Sequence, residues 1–177
     1  MLLIESIFDD ENTARGDGMS AYRFLCFRNM IQDRFLRHKN RLQNLGFILF
    51  FILLGNAYEK KGLNAAAFKE YQKALSIDPN DADIYNNLGV VFTKQRRLDD
   101  AIQAFREAIS INPLYPDAHN NLGIACYRKG LTDDAEREFK LAISIEPYHA
   151  EAHNDLGIFY NDRRLFDEAI KEFEMAV

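Results

Sequence analysis

The sequence repeats itself every 34 residues, and few folds can accommodate that period. The fragments YNNLGVVF from Tyr85, HNNLGIAC from His119 and HNDLGIFY from His153 each begin one period after the last, and FILLGNAY from Phe51 falls in the same frame. A fixed period of this length marks a solenoid, in which each unit buries its apolar face against its neighbours instead of in a private core. The units run 48–81, 82–115, 116–149 and 150–177, the last cut short.

Each unit carries the same kinds of residue in the same order. An aromatic or His (Phe51, Tyr85, His119, His153) is followed by a Leu-Gly pair ending at Gly55, Gly89, Gly123 or Gly157. A small residue comes next (Ala67, Ala101, Ala135, Ala169), then a ring (Tyr71, Phe105, Phe139, Phe173), then a second alanine (Ala74, Ala108, Ala142, Ala176). Pro79, Pro113 and Pro147 close the three complete units. Apolar spacings of three and four predict helix, and turn signals split each unit into two helices. Glycine and alanine let two backbones approach while the rings opposite fill the gap. Proline cannot continue a helix and turns the chain into the next unit, whereas Pro116 suits a first helical turn.

This order resembles the tetratricopeptide repeat (TPR) family over residues 48–177. The resemblance implies an all-α fold: a right-handed α-solenoid of stacked helix-turn-helix hairpins, preceded here by a non-repeat helical N-terminal segment. Departures are local. Cys126 replaces the ring seen at Tyr58, Phe92 and Tyr160, and Arg96 and Arg164 replace the turn glycine seen at Gly62 and Gly130. These should alter packing or turn detail without altering the fold.

Charge and motifs narrow the function classes. The net charge is −5; residues 1–18 carry −4, residues 19–46 carry +5 and the repeats −6. An acidic array is a poor partner for nucleic acid, whose binding rests on neutralising phosphates. Cys26 and Cys126 form no CxxC pair and fit a reducing, cytoplasmic compartment. His149 and His153 are spaced to share a helical face, but no cysteine or carboxylate completes a metal site, and His119 and His153 occupy an aromatic slot that implies packing. No phosphate-cradling loop, nucleophile-base pair or cofactor motif stands out, so the chain reads as noncatalytic with no cofactor. Basic residues ending first helices (Lys60-Lys61, Arg96-Arg97, Arg128-Lys129, Arg163-Arg164) and acids beginning second ones (Asp99-Asp100, Asp133-Asp134, Asp167-Glu168) read as responses to the helix dipole.

What the family resemblance implies is binding, along a concave groove lined by the first helices. It places Asn56 and Lys60 of the first unit there, with Asp83, Asn86, Asn87, Val90 and Lys94 of the second. The third unit offers Asp117, Asn120, Asn121, Ile124 and Arg128, and the fourth Glu151, Asn154, Asp155, Ile158 and Asp162. Asn87 and Asn121, continued by Asp155, form a row able to pair with an extended peptide backbone. The fragment NNLG resembles the asparagine ladder of the TPR arm of O-linked N-acetylglucosamine transferases; surface solubility is the alternative account. Carboxylates at Asp117, Glu151 and Asp155 argue against the clamp that some co-chaperones use for acidic heat-shock tails. The expected partner is a neutral or basic protein or peptide with apolar side chains. A recruiting arm of a larger glycosyltransferase-like enzyme and a self-assembling scaffold remain as other readings.

Residues outside the repeat carry further expectations. Residues 1–18 read as a mobile acidic tail and 19–47 as a basic amphipathic helix leading into the apolar run Phe47 to Leu54, which is too short to span a bilayer. That helix either caps the solenoid, rests with residues up to 54 on an anionic membrane surface at its cytoplasmic face, or serves self-association. Acids after Met1 argue against a signal peptide. The stop at Val177, inside a second helix, suggests a fragment of a longer protein or an end packed on another molecule.

Overall fold

Eight helices and no strand make up the described residues, 42–177 of the computed structural model. They pair into hairpins: α1 (Leu42–Lys60) with α2 (Asn64–Ile77), α3 (Ala82–Lys94) with α4 (Leu98–Ile111), α5 (Pro116–Lys129) with α6 (Thr132–Ile145), and α7 (Ala150–Asp162) with α8 (Phe166–Met175). The chain divides into two units, Met1–Gly46 and Phe47–Val177, and the second contains the repeats. The expected tail at 1–18 and most of the expected helix at 19–47 lie outside the described residues.

One side-chain pair holds each hairpin together. The ring sixteen positions after each mid-helix glycine lies directly over it: Tyr71 over Gly55, Phe105 over Gly89, Phe139 over Gly123 and Phe173 over Gly157. A β-carbon at Gly123 would lie 2.7 Å from the Phe139 ring, so only glycine lets the two helices approach this closely. Ala67, Ala101 and Ala135 are fully buried beside these rings. Between units, Phe68 meets Phe92 with ring centroids 5.6 Å apart, and Phe139 meets Phe159 edge-on at 6.1 Å. Interplanar angles near 60° suit the ring quadrupoles. The core thus runs from hairpin to hairpin, as a solenoid requires.

The turns explain why two arginines are tolerated where glycine recurs. Gly62, Arg96, Gly130 and Arg164 all adopt positive φ, at 73°, 59°, 85° and 63°. The following residue then donates its N–H back across the turn: Leu63 to Tyr58 O, Arg97 to Phe92 O, Leu131 to Cys126 O and Leu165 to Tyr160 O, at 2.9 to 3.0 Å. This is a left-handed helix end closed by a six-to-one bond, and glycine is its lowest-energy occupant. Replacing Arg96 by Gly should therefore stabilise the protein by about 0.5–1 kcal/mol, read as a higher urea midpoint at unchanged slope.

Helix boundaries follow local chemistry. Asp81 caps α3 by accepting the amides of Asp83 and Ile84, and Pro116 opens α5. The second helices end in extended residues Asp78, Asn112 and Glu146, each followed by proline. Acids fill the first turns of α4, α6 and α8 as expected. The basic pairs differ. Arg128 and Lys129 do occupy the last turn of α5, but Arg96 and Arg97 lie past the end of α3, and Arg97 Nε donates instead to Asp100 Oδ2 at 2.7 Å.

The first helix departs from expectation. The apolar run lies within α1, whose 19 residues and mean hydropathy of 1.2 make it long and apolar enough, by length and composition, to cross a membrane. Judging the eight-residue run alone understated it. Phe47 stands where Asp81 caps α3, and a phenylalanine cannot cap, so the helix continues back to Leu42. Its second half nevertheless belongs to the repeat: Ile48 is buried, Gly55 lies under Tyr71, and Asn56 accepts the Tyr71 hydroxyl at 2.6 Å.

Candidate functional site

The groove residues foreseen from the sequence lie on α1, α3, α5 and α7, and the structure gives many of them a second task. Successive first helices are tied by bonds from a residue to its partner 35 positions on: Glu59 with Lys94, Asn86 with Asn121, Asn120 with Asp155, and Tyr127 with Asp162. Asn121 Nδ2 donates to Asn86 Oδ1 at 3.0 Å, Asn120 Nδ2 to Asp155 Oδ2 at 2.9 Å, and Tyr127 Oη to Asp162 Oδ2 at 2.5 Å. Asn87 Nδ2 donates to Asn56 Oδ1 at 3.3 Å. His149, the residue that caps α7, also reaches back to the preceding first helix, its Nε2 lying 2.9 Å from Asp117 Oδ1. Burial first, and then the negative charge of Asp83, push the Tyr115 phenol above its ordinary range.

These bonds sort the asparagines. Asn86 and Asn120 are 6% and 3% exposed, held between neighbouring first helices, whereas Asn87, Asn121 and Asp155 are half-buried on the next face. Consecutive helical residues point about 100° apart, so the two amides of an Asn-Asn pair are divided between a buried and a half-buried face. Asn154, the counterpart of Asn86 and Asn120, is exposed, as are Asp83, Lys94, Asp117, Arg128 and Glu151.

Beside the amide row runs an apolar one: Val90 and Ile124, both half-buried, and Ile158, 42% exposed. Beside α5 and α7 the surface opens into a cavity of about 650 Å³ lined by Asn120, Asn121, Ile124, Ala150, Glu151, Asn154 and Asp155, together with Phe173, Ala176 and Val177. Its charged lining side chains are the two carboxylates. Such a surface favours donors and positive charge and opposes anions.

His119, His149 and His153 each have partners within the fold. His149 caps α7, accepting the Ala152 amide on Nδ1 at 3.3 Å while Nε2 faces Asp117. His119 and His153 are buried in the aromatic slot, as their position implied, but each also meets a second-helix carboxylate 19 residues on: Nδ1 of His119 faces Glu138 Oε2 at 2.8 Å, and Nδ1 of His153 faces Glu172 Oε2 at 2.7 Å. Sequence reasoning missed these acids; the shared spacing in two units was the available signal. Cys126 is buried, and burial pushes its thiol above the ordinary value, which makes it a poor nucleophile.

Stacked hairpins with an open, hydrogen-bonded row of first helices define an α-solenoid of the repeat-scaffold class. TPR repeat models match residues 55–95 and 91–130, and a tetratricopeptide repeat model matches 116–149. The chain belongs to the tetratricopeptide repeat family. Two crystal structures of MamA are each 31% identical over 73% of this chain, covering 75% and 70% of theirs, with TM-scores of 0.64 and 0.63. The first TPR of Spaghetti (RPAP3) bound to the HSP90 peptide SRMEEVD is 22% identical over 66% of this chain and 93% of that one, with a TM-score of 0.62. No curated protein matches the chain. The family and these neighbours are typical of non-enzymatic protein-interaction scaffolds.

Proposed function

We propose that the chain is a noncatalytic scaffold that holds an extended peptide, or an extended segment of a partner protein, along its first helices. The observation that carries this reading is the pairing of two parallel rows: Val90, Ile124 and Ile158 for apolar side chains, and Asn87, Asn121 and Asp155 for backbone groups. Asn87 and Asn121 each donate one amide hydrogen within the brace, which leaves a second hydrogen and the carbonyl for a ligand. Asp117, Glu151 and Asp155 set the preferred charge of the partner as neutral or basic. The Spaghetti domain holds a peptide ending in acids; in this groove those carboxylates would repel such a tail.

The test is fluorescence polarisation against a degenerate library of nine-residue peptides of basic-apolar composition and its acidic counterpart. Basic-apolar peptides should bind, and Ile124→Asp should weaken them by about tenfold or more while the helical circular dichroism is unchanged. Equal binding of acidic peptides, or full affinity in the Ile124→Asp variant, would overturn the groove assignment.

A further inference from the structure

We propose that His119 is a pH-responsive latch between the second and third hairpins: charged, its ring ties the turn at Pro113 to Glu138 of α6; neutral, it lets the turn go. Both ring nitrogens face acceptors, Nδ1 the Glu138 carboxylate at 2.8 Å and Nε2 the Pro113 carbonyl at 3.2 Å. A neutral imidazole has one N–H and one lone pair, so it can satisfy only one of the two and sets its lone pair against the other. The imidazolium satisfies both. The ring is nearly sealed from water, at 6% exposure, so no solvent molecule easily substitutes for the lost donor. The same frame recurs one unit on, with His153 between Glu172 and the Pro147 carbonyl at 3.1 Å.

The surrounding charges support this assignment. Glu138 comes from α6, with Arg137 paired behind it through Nη2 at 3.1 Å; among the described residues, no charged side chain of α3, α4 or α7 reaches the ring by hydrogen bond or ion pair. The bond to Glu138 holds the imidazolium above its ordinary value of 6.5, against the opposing effect of burial and with help from the Pro113 carbonyl. Burial pushes the Glu138 carboxyl up, but His119 and Arg137 outweigh it and leave it below the ordinary 4.5. The two signs fix a window. A raised histidine contributes fully below its ordinary value and loses that contribution as pH rises through its folded one; a depressed carboxyl contributes above its ordinary value and fails as pH falls. The latch is therefore tight between the two and loosens on the alkaline side through His119. Because the Pro113 turn sets where α5 begins, its release loosens the stretch of groove floor that carries Ile124.

The experiment is NMR titration of the imidazole resonances of the full chain, with hydrogen exchange at Leu114 and Tyr115 measured below and above the His119 midpoint and corrected for intrinsic base catalysis. The midpoint should lie above that of an ordinary imidazole, and exchange in the turn should quicken by roughly fivefold above it, the effect of losing one hydrogen bond. Glu138→Gln should lower the midpoint, and His119→Gln should abolish the change in turn exchange. A wild-type midpoint at or below the ordinary value would overturn the latch, as would unchanged pH dependence of turn exchange in the folded His119→Gln variant. The wild-type titration decides the matter even if neither variant folds.

Discussion

Replacing Phe139 by alanine will lower the free energy of unfolding by about 3–5 kcal/mol, a large part of the margin available to a domain of this size. Three observations place it at the costly end. The ring is 1% exposed, it fills the gap that Gly123 leaves between α5 and α6, and its other edge meets Phe159 of the next hairpin. Backbone cannot collapse into the space without dragging both helices, so most of the cavity persists. Stability in a solenoid comes largely from neighbouring interfaces, so the damage should be local. Urea unfolding followed by circular dichroism should show the lower midpoint, and hydrogen exchange should show α7 and α8 losing protection before α3 and α4. Leu141→Ala, two residues on but on the open side of α6, should cost less than about 0.5 kcal/mol. Equal losses at the two positions would mean that the rings do not carry the hairpin contacts.

What could be read from the sequence was whatever recurs with the period. A glycine and a ring in fixed phase in four units can only mean a repeated contact, and each such pair meets as expected. Arg96 and Arg164 were legible as glycine substitutes for the same reason, and both take the left-handed backbone. Contacts that join one unit to the next were hidden, because they depend on a register that the period does not contain. The asparagine pairs show this best. The sequence placed Asn86 beside Asn87 and Asn120 beside Asn121, but not which of each pair turns inward. The bonds to Asn121 and Asp155 go with burial of Asn86 and Asn120 between first helices, while Asn87 and Asn121 stay half-buried. His119 and Glu138 were hidden for a second reason. A histidine in an aromatic slot reads as packing, and its acid sits on the other helix of the hairpin, where the neighbouring Glu136 takes different partners, Lys140 and Tyr160.

Gly123→Ala sets two known effects against each other, and packing should win. In an ordinary helix the change stabilises by about 1 kcal/mol, since alanine loses less backbone freedom. Here the new β-carbon would stand 2.7 Å from both Cδ1 and Cε1 of Phe139. A flexible chain end could swing away from such a contact, but this ring is buried and flanked by Phe159, so relief requires α5 and α6 to separate. Forcing an extra methyl into a filled core costs about 1–3 kcal/mol beyond what it gains, so the variant should be less stable than the wild type. The mechanism predicts a specific coupling as well. Phe139→Leu removes the ring edge that the methyl strikes, so Gly123→Ala should cost much less in that background, with an interaction energy of about 1–3 kcal/mol in the double-mutant cycle. If Gly123→Ala instead raised stability by the full helix-propensity gain, the close approach of α5 and α6 would not be what selects glycine, and the recurrence at Gly55, Gly89, Gly123 and Gly157 would need another physical cause.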